Sequence, residues 1–221
     1  MYQFFVTEEQ IGREFITITG GDVNHIKNVL RMRSGETIRV SNQKGQDYFC
    51  KISEVGEDFV QADILETKAA TTELPGKIYL FQGIPKGDRM EHVIEKAVEL
   101  GVYEIIPVRM RYCVVKLDDK KQQAKLKKWQ ALAMAAAKQS KRSLVPNIHP
   151  VMSYKEAIAY AFQSEACLIP YENENGMEGT KAALKKIRGK ESVSILIGPE
   201  GGFAPEEIEA VKSRGEVISL G

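Results

Sequence analysis

Cysteine, histidine and tryptophan are scarce in this chain of 221 residues, which has three, three and one of them. Cys50, Cys113 and Cys167 lie far apart and form no CxxC pair. That excludes a disulfide framework and a cysteine-based zinc module, and it predicts reduced, interior thiols in a cytoplasmic protein. His25, His92 and His149 are as scattered, so no metal is expected. No apolar run approaches the ~20 residues a membrane span needs. The N-terminal MYQFFVTEEQ carries acids where a secretory leader would be basic, so no signal peptide is expected. Charge of one sign is also missing: 31 Lys and Arg against 30 Asp and Glu leave +1. A claim of nucleic-acid binding must therefore rest on local clustering of cations. Neither a P-loop nor a GxGxxG fingerprint occurs, which argues against triphosphate and dinucleotide sites.

What is present is organised around Ser192–Gly202, SVSILIGPEGG. Val193, Ile195, Leu196 and Ile197 read as a buried parallel strand that stops at a turn of Gly198, Pro199, Glu200, Gly201 and Gly202. FAPEEIEAVKSRG then reads as a helix, with Pro205 in its first turn, Glu206 and Glu207 at its positive end, and Gly215 as its stop. The carboxyl ends of strands in open α/β sheets are where ligands bind, and glycine lets the backbone approach them closely. A plain strand-to-helix turn is the competing reading. If a ligand sits here, a nucleoside compound other than NAD or a triphosphate fits best.

The N-terminal region, residues 1–72, reads as short alternating strands broken by Gly35, Gly45 and Gly56, a small β-barrel or sandwich. One helix is expected at GDVNHIKNVLRMR, capped by Asp22, with Val23, Ile26, Val29 and Leu30 on one face. Lys27, Arg31, Arg33 and Arg39 form a basic edge. It is either a solvated face or a set of phosphate contacts. Ala69–Lys77, AATTELPGK, reads as a linker.

From residue 73 to 221 the period changes to that of an α/β layer domain. KIYLFQGIP, GDRMEHVIEKAVELG and VYEIIPV make a βαβ unit. A long helix follows over LDDKKQQAKLKKWQALAMAAAKQSKR, then strands at SEACLIP, SVSILIG and EVISLG. Lys120, Lys121, Lys125, Lys127, Lys128, Lys138, Lys141 and Arg142 crowd that helix and its exit. They are either a solvated face or, with the basic edge of the first domain, a grip on a polyanion. Trp129 is expected in the core. Lys86 and Arg89 precede or open a helix, where cations are unfavourable for the dipole, and that mismatch points toward the ligand side.

IGPEGGF after a strand, EKAVELGV, AAKQSKR with Pro146, a closing SLG and the N-terminal HIKNVLRMRSGE together resemble the RsmE family over nearly the whole chain. These are SPOUT-class methyltransferases that use S-adenosylmethionine to methylate N3 of a uridine in small-subunit ribosomal RNA. The resemblance implies a PUA-like β-barrel RNA-binding domain followed by a trefoil-knotted α/β methyltransferase domain, a homodimer, and rRNA or the small ribosomal subunit as partner. It implies a cofactor folded among three loops: one around Leu168, Ile169, Pro170 and Tyr171, one over Ile197–Gly202, and one beginning at Leu220 and Gly221. Ile197, Ile169, Pro170 and Leu220 would wall the adenine. Glu200 would either touch the cofactor or cap the following helix. RNA would meet Lys27, Arg31, Arg33, Lys86, Arg89, Lys138 and Arg142. The family continues past the LG pair with an arginine-bearing turn and a last helix. The expectation is therefore that these 221 residues leave the knot incomplete and that the catalytic cation lies beyond them, supported by Arg89 and Arg142. A methylase of transfer RNA and a non-catalytic RNA-binding protein are the alternatives.

Overall fold

The computed structural model describes residues 1–115, 118–174 and 176–220. The chain forms two compact units. The first comprises Met1–Glu73 with Ala137–Val145, the second Leu74–Ala136 with Pro146–Gly221.

The first unit holds β1 (Tyr2–Phe5), β2 (Phe15–Thr19), α1 (Gly21–Asn24), β3 (Thr37–Ser41), β4 (Gln46–Val55) and β5 (Phe59–Ala69). Its five-stranded sheet runs β1-β3-β4-β5-β2. β1 and β3 pair in parallel and the remaining neighbours antiparallel. Register shifts between Phe49 and Cys50 and between Ile52 and Glu54 bend β4. The alternating Ile38, Val40, Cys50, Ile52, Val60 and Ala62 bury one face over Phe4, Ile16, Ile18 and Ile26. The helix expected here is shorter than its apolar pattern suggests. Its N-cap is Gly20 rather than Asp22, and after one α turn it widens into a π turn, His25–Val29. The wider turn breaks the 3.6-residue phase, so Val23 and Ile26 stay buried while Val29 is exposed.

The segment from Ala137 to Val145 is built into this unit by buried polar contacts. Glu73 accepts from the Arg142 guanidinium and from the backbone N–H groups of Ser143 and Leu144. Asp47 accepts from Arg39 and from the Ser143 hydroxyl. Lys138 pairs with Asp22 at 2.6 Å. These acceptors hold cations that the sequence pattern left open to RNA.

The second unit contains β6 (Lys77–Gly83), α2 (Arg89–Glu99), β7 (Glu104–Arg109), α3 (Asp119–Gln139, its last turn in the first unit), β8 (Asn147–Ile148), β9 (Met152–Ser153), α4 (Tyr154–Ala161), β10 (Ala166–Pro170), α5 (Met177–Lys186), β11 (Ser192–Ile197), α6 (Pro205–Lys212) and β12 (Glu216–Ile218). The sheet order is β12-β10-β11-β6-β7-β8, with β9 also on β7, and each pair is parallel. The central strands are buried on both faces, which explains their unbroken apolar runs. Trp129 lies in the interior, 1% exposed. No described helix is long and apolar enough to cross a membrane.

Candidate functional site

The parallel pairing of β10 with both β11 and β12 sets three strand ends side by side. Beyond them opens a cavity of about 380 Å³. Pro170, Tyr171 and Glu172 line it from the first loop, Ile197, Gly198, Pro199, Gly202 and Phe203 from the second, and Ser219 and Leu220 from the third.

Each loop is held by identifiable contacts. Gly83 on β6 leaves room for the second loop: a Cβ there would fall 2.6 Å from the Pro199 nitrogen. Gly202 donates to Pro199 O at 2.9 Å and has φ +71°, a conformation that glycine adopts without strain. Its α-carbon lies under Glu172, since a Cβ would come within 2.1 Å of that carboxylate. The α6 start is closed by Glu207, which accepts from Ala204 N–H at 2.9 Å and from Arg111 N–H at 2.8 Å. Thr180 on α5 fixes the third loop by donating to Ser219 O at 2.8 Å and accepting from Ser219 N–H at 3.1 Å. The first loop is tied by Tyr171 N–H to Ile218 O and turns back through Glu174 N–H to Tyr171 O. Tyr171 and Phe203 meet edge to face at 6.4 Å.

Pro170, Tyr171, Ile197, Gly198, Pro199, Gly202 and Leu220 converge on the cavity. Leu168, expected in the first cofactor loop, and Ile169, expected to wall the adenine, do not line it: both are buried, and Ile169 belongs to the apolar core under β10. Gly201 also stands off it, facing Tyr112, with room for a Cβ only at 3.0 Å from the Tyr112 Cβ. Gly221 lies outside the described residues. Glu172, Phe203 and Ser219 line the cavity without having been singled out. Their signal was position alone, next to residues that had been.

Glu200 neither lines the cavity nor caps α6. Its Oε1 accepts from Arg89 Nη1 at 2.6 Å and from Lys86 N–H at 3.0 Å. Backbone N–H groups of Glu200 itself and of Lys86, then the Arg89 guanidinium, hold its carboxyl below the usual carboxylate range. Arg89 remains largely exposed, its side chain 67% accessible, so most of its donors face solvent.

The other cations expected to meet RNA fall into two groups. Arg31 and Arg33 are exposed, as is Lys86. Lys27 donates to the carbonyls of Gly56 and Glu57, and Lys138 is paired with Asp22. Arg142, expected on the RNA side, is 3% exposed and committed to Glu73. Its burial corrects that expectation, because a guanidinium fully paired in the interior presents no donor to a phosphate. Among the described residues no group of His, Cys, Asp and Glu is placed to hold a metal ion.

The cavity suits a nucleoside compound. Its walls are apolar and aromatic, glycines expose backbone amides and carbonyls, and one carboxylate enters from the side.

Comparison with known proteins covers the whole chain. Residues 72–221 match the RNA methyltransferase domain family and residues 18–65 the RNA methyltransferase PUA domain. A Bacillus subtilis protein named ribosomal RNA small subunit methyltransferase E is 35% identical over 229 residues, covering 100% of this chain and 89% of the relative. A crystal structure of a ribosomal RNA small subunit methyltransferase E from Neisseria gonorrhoeae, bound to S-adenosyl methionine, superposes with a TM-score of 0.85 at 28% identity, covering 100% of this chain and 89% of that one. A putative methyltransferase from Legionella pneumophila, in complex with the same cofactor, gives a TM-score of 0.85 at 28% identity with the same coverage of both chains.

Proposed function

The chain belongs to the ribosomal RNA small subunit methyltransferase E family, and we propose that its cavity beyond β10, β11 and β12 holds S-adenosylmethionine for methylation of a uridine N3. It is a methyltransferase of small-subunit ribosomal RNA that uses this cofactor. The observation that carries the placement is the convergence of three loops from one set of parallel strand ends on a glycine-edged, largely apolar cavity.

The cofactor would supply a methyl group carried on a positively charged sulfonium sulfur, and N3 of the uridine releases its proton to solvent as it takes up that methyl. The protein's share is positioning and exclusion of water. Ile197, Pro170, Phe203 and Leu220 present apolar surface to the base, and the backbone at Gly198 and Gly202 lies close to the ligand because no Cβ intervenes. Glu200 braces the second loop against the start of α2 and aims Arg89. Arg89 and Lys86 take the RNA side of this unit, and Arg31 and Arg33 the RNA side of the first unit. All four are exposed cations able to meet phosphate oxygens. N3 is occupied in a base pair, so the target uridine must be unpaired or drawn from its stack. The working form is a cytoplasmic homodimer.

The test is transfer of labelled methyl from S-adenosylmethionine to isolated small subunits, naked ribosomal RNA and transfer RNA, followed by nucleoside analysis. Label recovered as N3-methyluridine from the small-subunit RNA supports the reading. Label confined to transfer RNA, or to another atom, overturns it.

A further inference from the structure

We propose that Glu172 makes the cavity discriminate by charge, favouring the cationic methyl donor over the neutral thioether that remains after transfer. The inference rests on the placement of S-adenosylmethionine in this cavity. Among the ten described residues that line it, Glu172 is the single one with a charged side chain. The turn Tyr171–Glu174, closed by Glu174 N–H to Tyr171 O at 3.1 Å, carries it across the second loop. Its Oε1 sits where a Cβ of Gly202 would stand, 2.1 Å from that position. A side chain at residue 202 would therefore displace the carboxylate, and glycine admits it.

The rest of the lining leaves this charge uncompensated. No described residue donates a hydrogen bond to Glu172 or forms an ion pair with it, whereas Glu200 on the second loop and Glu207 on α6 are both engaged. The α6 N-terminus offers no substitute cation, because Glu207 already occupies the Ala204 N–H. A carboxylate with no partner at the edge of a largely apolar cavity attracts a positive ligand and gains nothing from a neutral one.

S-adenosylmethionine and S-adenosylhomocysteine share the adenine, the ribose and the amino-acid end. They differ by one methyl group and one positive charge at sulfur. Contacts to the shared parts bind both equally and favour neither. A carboxylate beside the cavity acts on the difference, so it holds the donor before transfer and releases its grip once the charge is gone. Because Glu172 is exposed, solvent screens it, and the effect is that of a surface charge rather than of a buried pair.

The experiment is calorimetric titration of the full chain, its E172Q and its E172D variants with S-adenosylmethionine and, separately, with S-adenosylhomocysteine, at low and high sodium chloride. The expected result is a roughly two- to fivefold fall in the donor-to-product affinity ratio in E172Q, the size of an exposed charge interaction. E172D retains most of the wild-type ratio. High salt lowers the wild-type ratio toward that of E172Q, because screening removes the same attraction. Equal weakening of both ligands in E172Q overturns the proposal, since Glu172 would then be an acceptor for the shared ribose hydroxyls. An unchanged ratio with unchanged affinities overturns it as well. Failure of the wild-type chain to bind either compound brings down the placement of the cofactor itself, a result distinct from both. Among the described residues Glu172 has no hydrogen-bond or ion-pair partner to lose, so circular dichroism of the variants is expected to match the wild type.

Discussion

Arg89 and Glu200 are 111 positions apart in the chain and meet at 2.6 Å, with the backbone N–H of Lys86 on the same carboxylate oxygen. Glu200 therefore joins the glycine turn after β11 to the start of α2. The shared oxygen explains why a cation is tolerated at that helix start: its charge is answered locally, so the dipole penalty is offset.

This joint predicts a graded response. Gln at position 200 keeps an acceptor for Lys86 N–H and loses the charge facing Arg89, whereas Ala loses both. Cofactor affinity measured by calorimetry is expected to fall in E200A by roughly three- to tenfold, about what one lost hydrogen bond is worth, and by less in E200Q. Equal affinities in wild type and E200A would show that the brace does not shape the cavity.

Gly202 gives the sharpest steric prediction. A valine there meets both an unfavourable φ of +71° and the Glu172 carboxylate. The backbone strain alone is about 1–2 kcal/mol. G202V is expected to abolish measurable cofactor binding while the thermal transition of the second unit persists. Wild-type affinity in G202V would remove the second loop from the site.

The first unit depends on Glu73. Its carboxylate answers the buried Arg142 and two backbone N–H groups, and its side chain is 26% exposed. Removing one partner of a buried pair costs about 3 kcal/mol or more, because the other is left uncompensated. E73A is expected to lose stability of that order in urea unfolding followed by far-ultraviolet circular dichroism. R142K is expected to recover little when compared with R142A, since an ammonium cannot reproduce the forked guanidinium contact. A change in E73A below about 1 kcal/mol, the size of a surface pair, would contradict the burial argument.

The thiols predict an alkaline limit. Burial, with a smaller contribution from Asp63 at Cys50, pushes Cys50 and Cys167 up to about 12, and burial also raises Cys113. A folded-state value above the ordinary 9.0 means the unfolded chain ionises first. Stability from these groups is complete below pH 9 and declines as pH rises toward 12. At pH 8 a thiol-specific chromogenic reagent is expected to label the native protein slowly, Cys113 first, and all three cysteines rapidly in denaturant. Fast native labelling of Cys50 or Cys167 would contradict their burial.

Local pattern carried far in this protein. The strand-to-helix turn at 198–202 was legible because an apolar run ends in residues that can only turn, and Pro205 and Gly215 bracket the helix that follows. The alternation in β3, β4 and β5 likewise marked the inward face of the first sheet. The pattern fell short where a strand is buried on both faces. Periodicity in β10 cannot say whether Ile169 looks toward the cavity or the core, and it looks toward the core. Glu172 was invisible for another reason: a single carboxylate in a polar loop has no signature until a glycine thirty positions later is found beneath it.

What the amino-acid order determined by itself is the succession of elements and the places where the chain turns, because these follow from propensity, apolar spacing and glycine or proline within a few residues. Only the tertiary structure decided which strand ends stand together and which charges remain free. β10 reaches β11 and β12 across long stretches of chain, and Arg142 is withdrawn from solvent by a carboxylate 69 positions away. Both are choices among distant partners, settled by joint burial and complete hydrogen bonding.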